Sequence, residues 1–265
     1  MAAFEDCNWY DYPRYYDVVF GADTAWEADF LERVWGRHGA TKRRGRTRVL
    51  EPACGTGRLV IEMGRRGYDG VGFDCNAAMV RYAARRVSRC KGLPVSIREG
   101  RMEAFRVRGR FDMAFCLLST FKYLLSEVDA CSCLQGVERV LKRGGLFLLG
   151  LHLTDYERRR PEHERWVGEQ GELRVVCNTR TWPADLTMRR ERIRTRLTVT
   201  RRGVSERRLE SDWQARTYDL KELKRLIGKV GGLQMVGGYD FGEAMPEERK
   251  LEEGMSYVVA VLRKS

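Results

Sequence analysis

The chain has 265 residues, 43% hydrophobic and 32% charged, and a formal net charge of +12. That composition excludes a disordered chain and allows one large core, or a core with an appended layer. No apolar run approaches the roughly 20 residues that span a bilayer, so no membrane segment is expected.

The chain opens Met1-Ala2-Ala3-Phe4-Glu5-Asp6, with no basic stretch ahead of an apolar one, so no secretory leader is expected and a cytoplasmic location is. Eight scattered cysteines without a C-x-x-C pair, and three histidines far apart, predict buried free thiols and no metal site. The positive charge suits either an anionic partner such as RNA or a merely basic surface.

Residues 1–46 read as an N-terminal helical cap. Asp11-Tyr12-Pro13-Arg14-Tyr15-Tyr16-Asp17 is a turn entering an amphipathic helix from about Ala25 to Arg37, with Trp26, Phe30, Leu31, Val34 and Trp35 at helical spacing. A basic loop, Lys42-Arg43-Arg44-Gly45-Arg46, follows.

Residues 47–154 alternate strand and helix. A strand at Arg48–Glu51 runs into Ala53-Cys54-Gly55-Thr56-Gly57, and the next helix, Arg58–Arg66, stops at Gly67. Gly70–Asp74 is a second strand, and Asn76 caps a helix carrying Met79, Val80, Tyr82 and Ala83. Val95–Arg98 is a third strand; Phe111–Leu118 is a fourth, apolar as a strand covered on both faces should be. Ser126-Glu127-Val128-Asp129 opens a helix ending at Gly144-Gly145, and Leu146–Leu151 is a fifth strand. This rhythm predicts a parallel sheet with helices on both faces.

Residues 155–217 read as an antiparallel β insertion, with strands from about Glu172. In Leu186–Thr200 one face carries Arg190, Arg192, Arg194 and Arg196, and the other Ile193, Thr195, Leu197 and Val199. Folded about Arg201-Arg202-Gly203 onto Val204–Thr217, one register sets Leu197 against Leu209 and Ile193 against Trp213. It also sets Arg196 against Glu210 and Arg194 against Asp212. Residues 218–265 supply a last helix, Leu220–Lys229, and two strands, Leu233–Tyr239 and Ser256–Leu262, that complete the main sheet.

The chemistry concentrates at Glu51-Pro52-Ala53-Cys54-Gly55-Thr56-Gly57, between a strand and a helix. Small residues at 53, 55 and 57 let the backbone turn tightly and approach a ligand, and the helix aims its free N–H groups there. Asp74 ends the next strand, where an acid can hold two ribose hydroxyls. Together they describe a site for an adenosine-bearing cofactor. The nicotinamide fingerprint is incomplete, because Arg58-Leu59-Val60 follows Gly57, and no phosphate-loop Gly-Lys-Ser/Thr is present.

These residues, with Phe111-Asp112-Met113-Ala114-Phe115 and Arg139–Leu146, resemble the class I S-adenosylmethionine-dependent methyltransferases. Their loop pattern, acidic-x-G-x-G-x-G, is matched except that Ala53 replaces the first glycine. The resemblance covers roughly residues 10–154 and, more loosely, the last forty. It implies a Rossmann-like α/β fold with a seven-stranded, mostly parallel sheet, and S-adenosyl-L-methionine as cofactor, released as S-adenosyl-L-homocysteine.

By position, Glu51 would face the methionine amino group, Ala53, Cys54, Gly55 and Gly57 would line the cofactor, and Asp74 would hold the ribose. Cys75 and Met79 would lie against the adenine. Gly100 is followed by Arg101-Met102-Glu103 instead of the acid or amide common in the family, so the Met102 backbone is expected to read the adenine. Cys116 and Leu117 would pass beside the sulfonium, with Tyr16 at the same pocket. His152, after the fifth strand, is the candidate catalytic base. Tyr16, Tyr123 and Tyr218 could equally be substrate-pocket rings or core aromatics.

No Asn/Asp-Pro-Pro-Tyr follows the fourth strand, where Ser119-Thr120-Phe121 stands. Similar enzymes with an insertion usually act on small molecules, so methylation of an O or N atom of a small molecule is expected. The insertion would cover the pocket or make a homodimer contact. The alternatives are an RNA methyltransferase, suggested by basic segments at 42–48, 158–160 and 189–202, and a non-catalytic protein that binds the cofactor.

Overall fold

The computed structural model describes residues 3–39, 46–242 and 246–265; the basic run Lys42-Arg43-Arg44-Gly45 lies outside them. In chain order the elements are β1 (Glu5–Asp6), α1 (Pro13–Phe20), α2 (Thr24–His38), β2 (Arg48–Pro52), α3 (Arg58–Arg65), β3 (Asp69–Asp74) and α4 (Ala77–Ser88). There follow β4 (Val95–Glu99), β5 (Phe111–Cys116), α5 (Glu127–Val140), β6 (Leu141–His152), β7 (Glu162–Gln170) and β8 (Leu173–Thr181). The chain closes with β9 (Arg190–Arg201), β10 (Val204–Arg216), α6 (Leu220–Val230), β11 (Leu233–Asp240) and β12 (Tyr257–Lys264).

Seven strands form one sheet in the order β11-β12-β6-β5-β2-β3-β4, with β12 alone antiparallel to its neighbours. Successive side chains on a strand enter opposite cores, which is why its central strands are apolar throughout. Val49, Met113, Phe115 and Leu148 pack with Phe30 and Leu31 of α2 and Leu59 of α3. Their neighbours Leu50, Ala114, Phe147 and Leu149 pack with α5 and α6 on the other face. Strand order reverses at β2, so the loops after β2 and β5 diverge and open a crevice at the carboxyl edge.

Several boundaries differ from the sequence reading; the strand expected from Leu186 begins at Arg190, because residues 186–189 form a turn. The segment expected to be a turn through Asp17 is helical from Pro13, which occupies the first helical position, where its missing N–H costs nothing. Helix α5 ends at Val140 instead of Gly144-Gly145, and β6 already begins at Leu141. Gly144, at φ 74°, sits where the pairing of β5 with β6 shifts register. Lys142 anchors that shift by donating to both oxygens of Asp112, at 2.8 and 2.7 Å.

The second sheet has the order β1-β10-β9-β8-β7. Its central hairpin has the expected register: Leu197 opposes Leu209, Ile193 opposes Trp213, Arg196 opposes Glu210 and Arg194 opposes Asp212. The ion pairs form partly on the diagonal. Arg192 donates to both oxygens of Asp212 at 2.6 and 2.9 Å, and Arg196 binds Glu210. Arg180, Arg192 and Arg194 lie 4.9, 4.6 and 5.3 Å from the Trp182 ring centre. The arginine face is thus largely satisfied within the sheet.

The sheet starts earlier than the expected Glu172, because β7 precedes it. Its inward positions include Glu162 and Glu164, so β7 shows no apolar alternation. The inner face of the other strands, with Val175, Cys177, Leu197, Val199 and Leu209, packs on Trp9 and Val19. A Cβ at Gly168 would lie 2.1 Å from the Val18 carbonyl oxygen, so only glycine lets α1 approach β7 this closely. The N-terminal segment is therefore divided: β1 and α1 join the second sheet, and α2 joins the first.

Candidate active site

The loop after β2 takes its shape from three left-handed residues, Ala53, Gly55 and Gly57, at φ 53°, 52° and 69°. Alanine tolerates this conformation at a cost of about 1 kcal/mol relative to glycine. At Gly57 the constraint is also steric, since a Cβ would stand 3.0 Å from that of Ala83 on α4.

Two carboxylates on adjacent strands brace the loop. Glu51 accepts the Val60 N–H at 2.9 Å, capping α3 in place of the missing side chain at Gly57. Asp74 accepts from the N–H groups of Gly55 and Asn76, each at 2.8 Å. Burial pushes both carboxyl groups up, that of Glu51 to about 8.

The cleft above the loop brings together Tyr16, Glu51, Ala53, Cys54, Gly55 and the end of β5 at Cys116 and Leu117. Burial pushes the Cys116 thiol up to about 12, so it is an uncharged wall. Gly57 lies under the loop, and Asp74 joins it through Gly55. The remaining predicted residues lie elsewhere along the crevice, after β3 and β4. Met79 is 1% exposed, whereas Cys75 is open to solvent. Arg101 and Glu103 pair with each other beside a half-buried Met102, and their charges reach the Cys75 thiol.

Sequence reasoning missed the back of the cleft, where Arg58 of α3 pairs with Glu27 of α2 at 2.6 Å, both buried. A signal existed: Glu27 precedes Phe30 and Leu31 by three and four residues, on the helix face that enters the core.

At Tyr16 and Leu118 the cleft adjoins a larger cavity of about 720 Å³ between the two sheets. One wall is aromatic. Tyr10 stacks on Trp213 at 5.5 Å, lies 5.4 Å from Trp9, and meets the Tyr123 hydroxyl with its own at 2.8 Å. The second sheet closes it with Glu164, Trp166 and Thr195 among others. Of the three tyrosines left open by sequence, Tyr16 and Tyr123 line this cavity, and Tyr218 packs in the core beside Phe121.

His152 stands where the cavity meets the first sheet. Its Nδ1 lies 2.7 Å from Ser119 Oγ, and its ring stacks on Tyr257 at 4.3 Å. Ser119 Oγ also accepts the His152 N–H at 2.8 Å, and the Tyr257 hydroxyl accepts the Leu118 N–H at 2.8 Å. Desolvation by the cavity walls, aided by Lys122, lowers the His152 pKa to about 4, so the imidazole is neutral at pH 7, although the residue stays open to solvent through the cavity.

Leu118 and Ser119 are consecutive non-glycine residues at φ 55° and 60°. Each costs of order 1 kcal/mol and persists because these bonds hold it. Lys122 adds a strut: its ammonium binds Glu191 of β9 at 2.6 Å and the His152 carbonyl at 3.2 Å, both carboxylate and ammonium being buried. Strain and a cross-sheet ion pair leave no mark in local sequence. Among the described residues no His, Cys, Asp and Glu group suits a metal ion, and no helix is long and apolar enough to cross a membrane.

A family profile described as "Methyltransferase domain" matches residues 49–145, from β2 into β6. The chain is 29% identical over 105 residues to the Bacillus subtilis methyltransferase-type protein YqeM, covering 40% of this chain and 42% of that one. It is 32% identical over 124 residues to a glycine/sarcosine N-methyltransferase of Parasynechococcus marenigrum, covering 46% and 42%. The match thus spans less than half the length of these relatives. The fold extends further: the SAM-bound amino pentose methyltransferase CalS10 of Micromonospora echinaspora superposes with a TM-score of 0.70 at 17% identity, covering 99% of this chain and 100% of that one. Local sequence and whole-chain fold meet at the same loop and crevice: residues 49–145 match a methyltransferase domain, and the whole chain has the fold of S-adenosylmethionine-dependent methyltransferases.

Proposed function

We propose that the protein transfers a methyl group from S-adenosylmethionine to a nitrogen of a small molecule held between the two sheets. The observation that carries this reading is the cavity of about 720 Å³, open to solvent on one side, that adjoins the glycine-loop cleft at Tyr16 and Leu118. A cavity of that size suits a small molecule, and the second sheet is then the substrate cover. Nitrogen is favoured over oxygen by the glycine/sarcosine N-methyltransferase relative.

The residues present fit the cofactor. A half-buried Glu51 carboxyl and the Arg58–Glu27 pair suit an amino acid end, the loop backbone allows close approach, and Asp74 would be the acid for the ribose. Cys75, Met79 and the Arg101-Met102-Glu103 loop would border the adenine. The bound cofactor supplies an electrophilic methyl on its sulfonium.

Transfer is an in-line displacement, so the protein's part is to align the nucleophile and exclude water. Leu117, Leu118 and Tyr16 would exclude water at the junction of cleft and cavity. His152, neutral and held by Ser119 and Tyr257, would accept a hydrogen bond from the acceptor and orient its lone pair. With a pKa of about 4 it is a weak base, better fitted to orienting a neutral amine than to deprotonating an ammonium.

Methylation of RNA has less support, because the arginines of β9 are engaged by Asp212, Glu210 and Trp182. Calorimetric titration with S-adenosylhomocysteine, with NAD and ATP as controls, tests the cofactor, and methyl transfer from labelled S-adenosylmethionine to amines, alcohols and RNA tests the acceptor. Micromolar binding of S-adenosylhomocysteine alone and turnover of amines are expected. Absent binding by folded, ligand-free protein would refute the reading. Turnover of RNA alone would replace it with the second, and binding without turnover of any acceptor would favour a non-catalytic role.

A further inference from the structure

The cavity inverts the charge of the molecule that contains it. The chain carries +12 overall, yet six carboxylates, Asp155, Glu162, Glu164, Glu191, Asp219 and Glu253, line the cavity against two cations, Lys122 and Arg158. Both cations are engaged: Lys122 binds Glu191 at 2.6 Å, and Arg158 binds Glu162 and lies 3.8 Å from Glu191. An acceptor bearing a carboxylate or phosphate inside this cavity would meet no uncommitted cation among the described residues.

The acids differ in what they have left to offer. Asp219 caps α6 by accepting the Glu222 N–H at 2.7 Å, and Asp155 accepts the Glu157 N–H at 2.8 Å. Glu253 is exposed at the surface. Glu164 is half-buried, faces inward from β7, and has no hydrogen bond or ion pair among the described residues. Trp166, two residues along the same strand, shares its face and meets Phe20 edge-on at 5.7 Å. Burial and the nearby Glu162 hold the Glu164 carboxyl above its ordinary range, with partial relief from Arg158, whose guanidinium is paired with Glu162 and makes no ion pair with Glu164. An unpaired carboxylate beside an indole face is a receptor for an organic cation, through a charged hydrogen bond and cation–π attraction.

We infer that Glu164 determines acceptor specificity, selecting a small amine that carries a second, cationic group directed at β7, away from the wall shared with the cofactor cleft. The inference rests on the methyltransferase reading and names the chemistry of its acceptor: a diamine or guanidino-amine, and neither an amino acid nor a phosphorylated sugar. Glu164 acts in recognition, so its loss falls on acceptor binding and leaves the cofactor untouched.

The test uses three ring compounds of one size, trans-1,4-diaminocyclohexane, trans-4-aminocyclohexanol and trans-4-aminocyclohexanecarboxylate, titrated into the full chain saturated with S-adenosylhomocysteine. The diamine is expected to bind about tenfold or more tighter than the alcohol, and the carboxylate weakest. Glu164→Gln should erase the diamine's advantage and Glu164→Asp should keep part of it. S-adenosylhomocysteine affinity, unchanged in both, reports that the variants are folded. Equal binding of the three probes, preference for the carboxylate, no binding of any at millimolar concentration, or an advantage that survives in Glu164→Gln would overturn the inference. Failure of S-adenosylhomocysteine itself to bind would instead overturn the methyltransferase reading.

Discussion

Replacing Glu51 by Gln should stabilise the ligand-free protein while weakening its hold on the cofactor, and the two effects share one cause. The folded-state carboxyl titrates at about 8 against an ordinary 4.5, because burial disfavours its charged form. Between those values the folded chain keeps a proton that the unfolded chain releases, so stability is highest below pH 4.5 and falls as pH rises towards 8. At pH 7.5 the ceiling of this cost is about 4 kcal/mol, from three pH units at 1.36 kcal/mol each. Glu51 lines a cleft that admits water, so about 2 kcal/mol is the expected figure.

Gln carries no charge and its carbonyl can still accept the Val60 N–H. Urea unfolding should therefore find Glu51→Gln about 2 kcal/mol more stable at pH 7.5 and equal to the parent at pH 4.5. Calorimetry should find S-adenosylhomocysteine bound roughly ten- to a hundredfold more weakly, from one lost charge-assisted hydrogen bond. The parent should also release a proton on binding at pH 7, seen as a heat that varies with the buffer's ionisation enthalpy. A stability difference independent of pH, or a destabilised variant at pH 7.5, would refute the reasoning.

Asp74→Ala strands the N–H groups of Gly55 and Asn76 and removes the acid proposed to hold the ribose; calorimetry should show S-adenosylhomocysteine affinity down by ~1–3 kcal/mol, and an unchanged value removes Asp74 from the site. Lys122→Met leaves Glu191, 6% exposed, without its main partner, and should cost ~3–5 kcal/mol in urea unfolding at pH 8. Lys122→Met with Glu191→Leu should recover most of that, and strictly additive losses would argue against the pair. Gly168→Ala drives a methyl against the Val18 carbonyl and should destabilise by ~1–3 kcal/mol, an unchanged melting temperature being the contrary result.

Much of the first sheet was legible because its signals are local. The glycine loop, Asp74 and the Asn76 cap lie within 26 consecutive residues, and each acts on backbone inside that stretch or just beyond it. The β9–β10 hairpin was legible for the same reason: alternating arginines and apolar residues allow one register that suits both faces. Strand β7 was not, since its inward Glu162 and Glu164 face a cavity instead of a core and break the apolar alternation. The helical nature of α1 was hidden by its aromatic residues, which read as a turn around Pro13.

By itself the sequence determined the Rossmann-like frame, the position of the glycine loop and the pairing of the central hairpin, all set by short-range periodicity and backbone conformation. Only the tertiary structure decided what the chain encloses. It carried α1 onto the second sheet, paired Arg58 with Glu27 and Lys122 with Glu191, strained Leu118 and Ser119 beside His152, and left Glu164 unpaired inside an aromatic cavity. The partner of a charge, or its lack of one, depends on groups that are distant in sequence and become neighbours only when the two sheets close on each other, and no local pattern encodes that meeting.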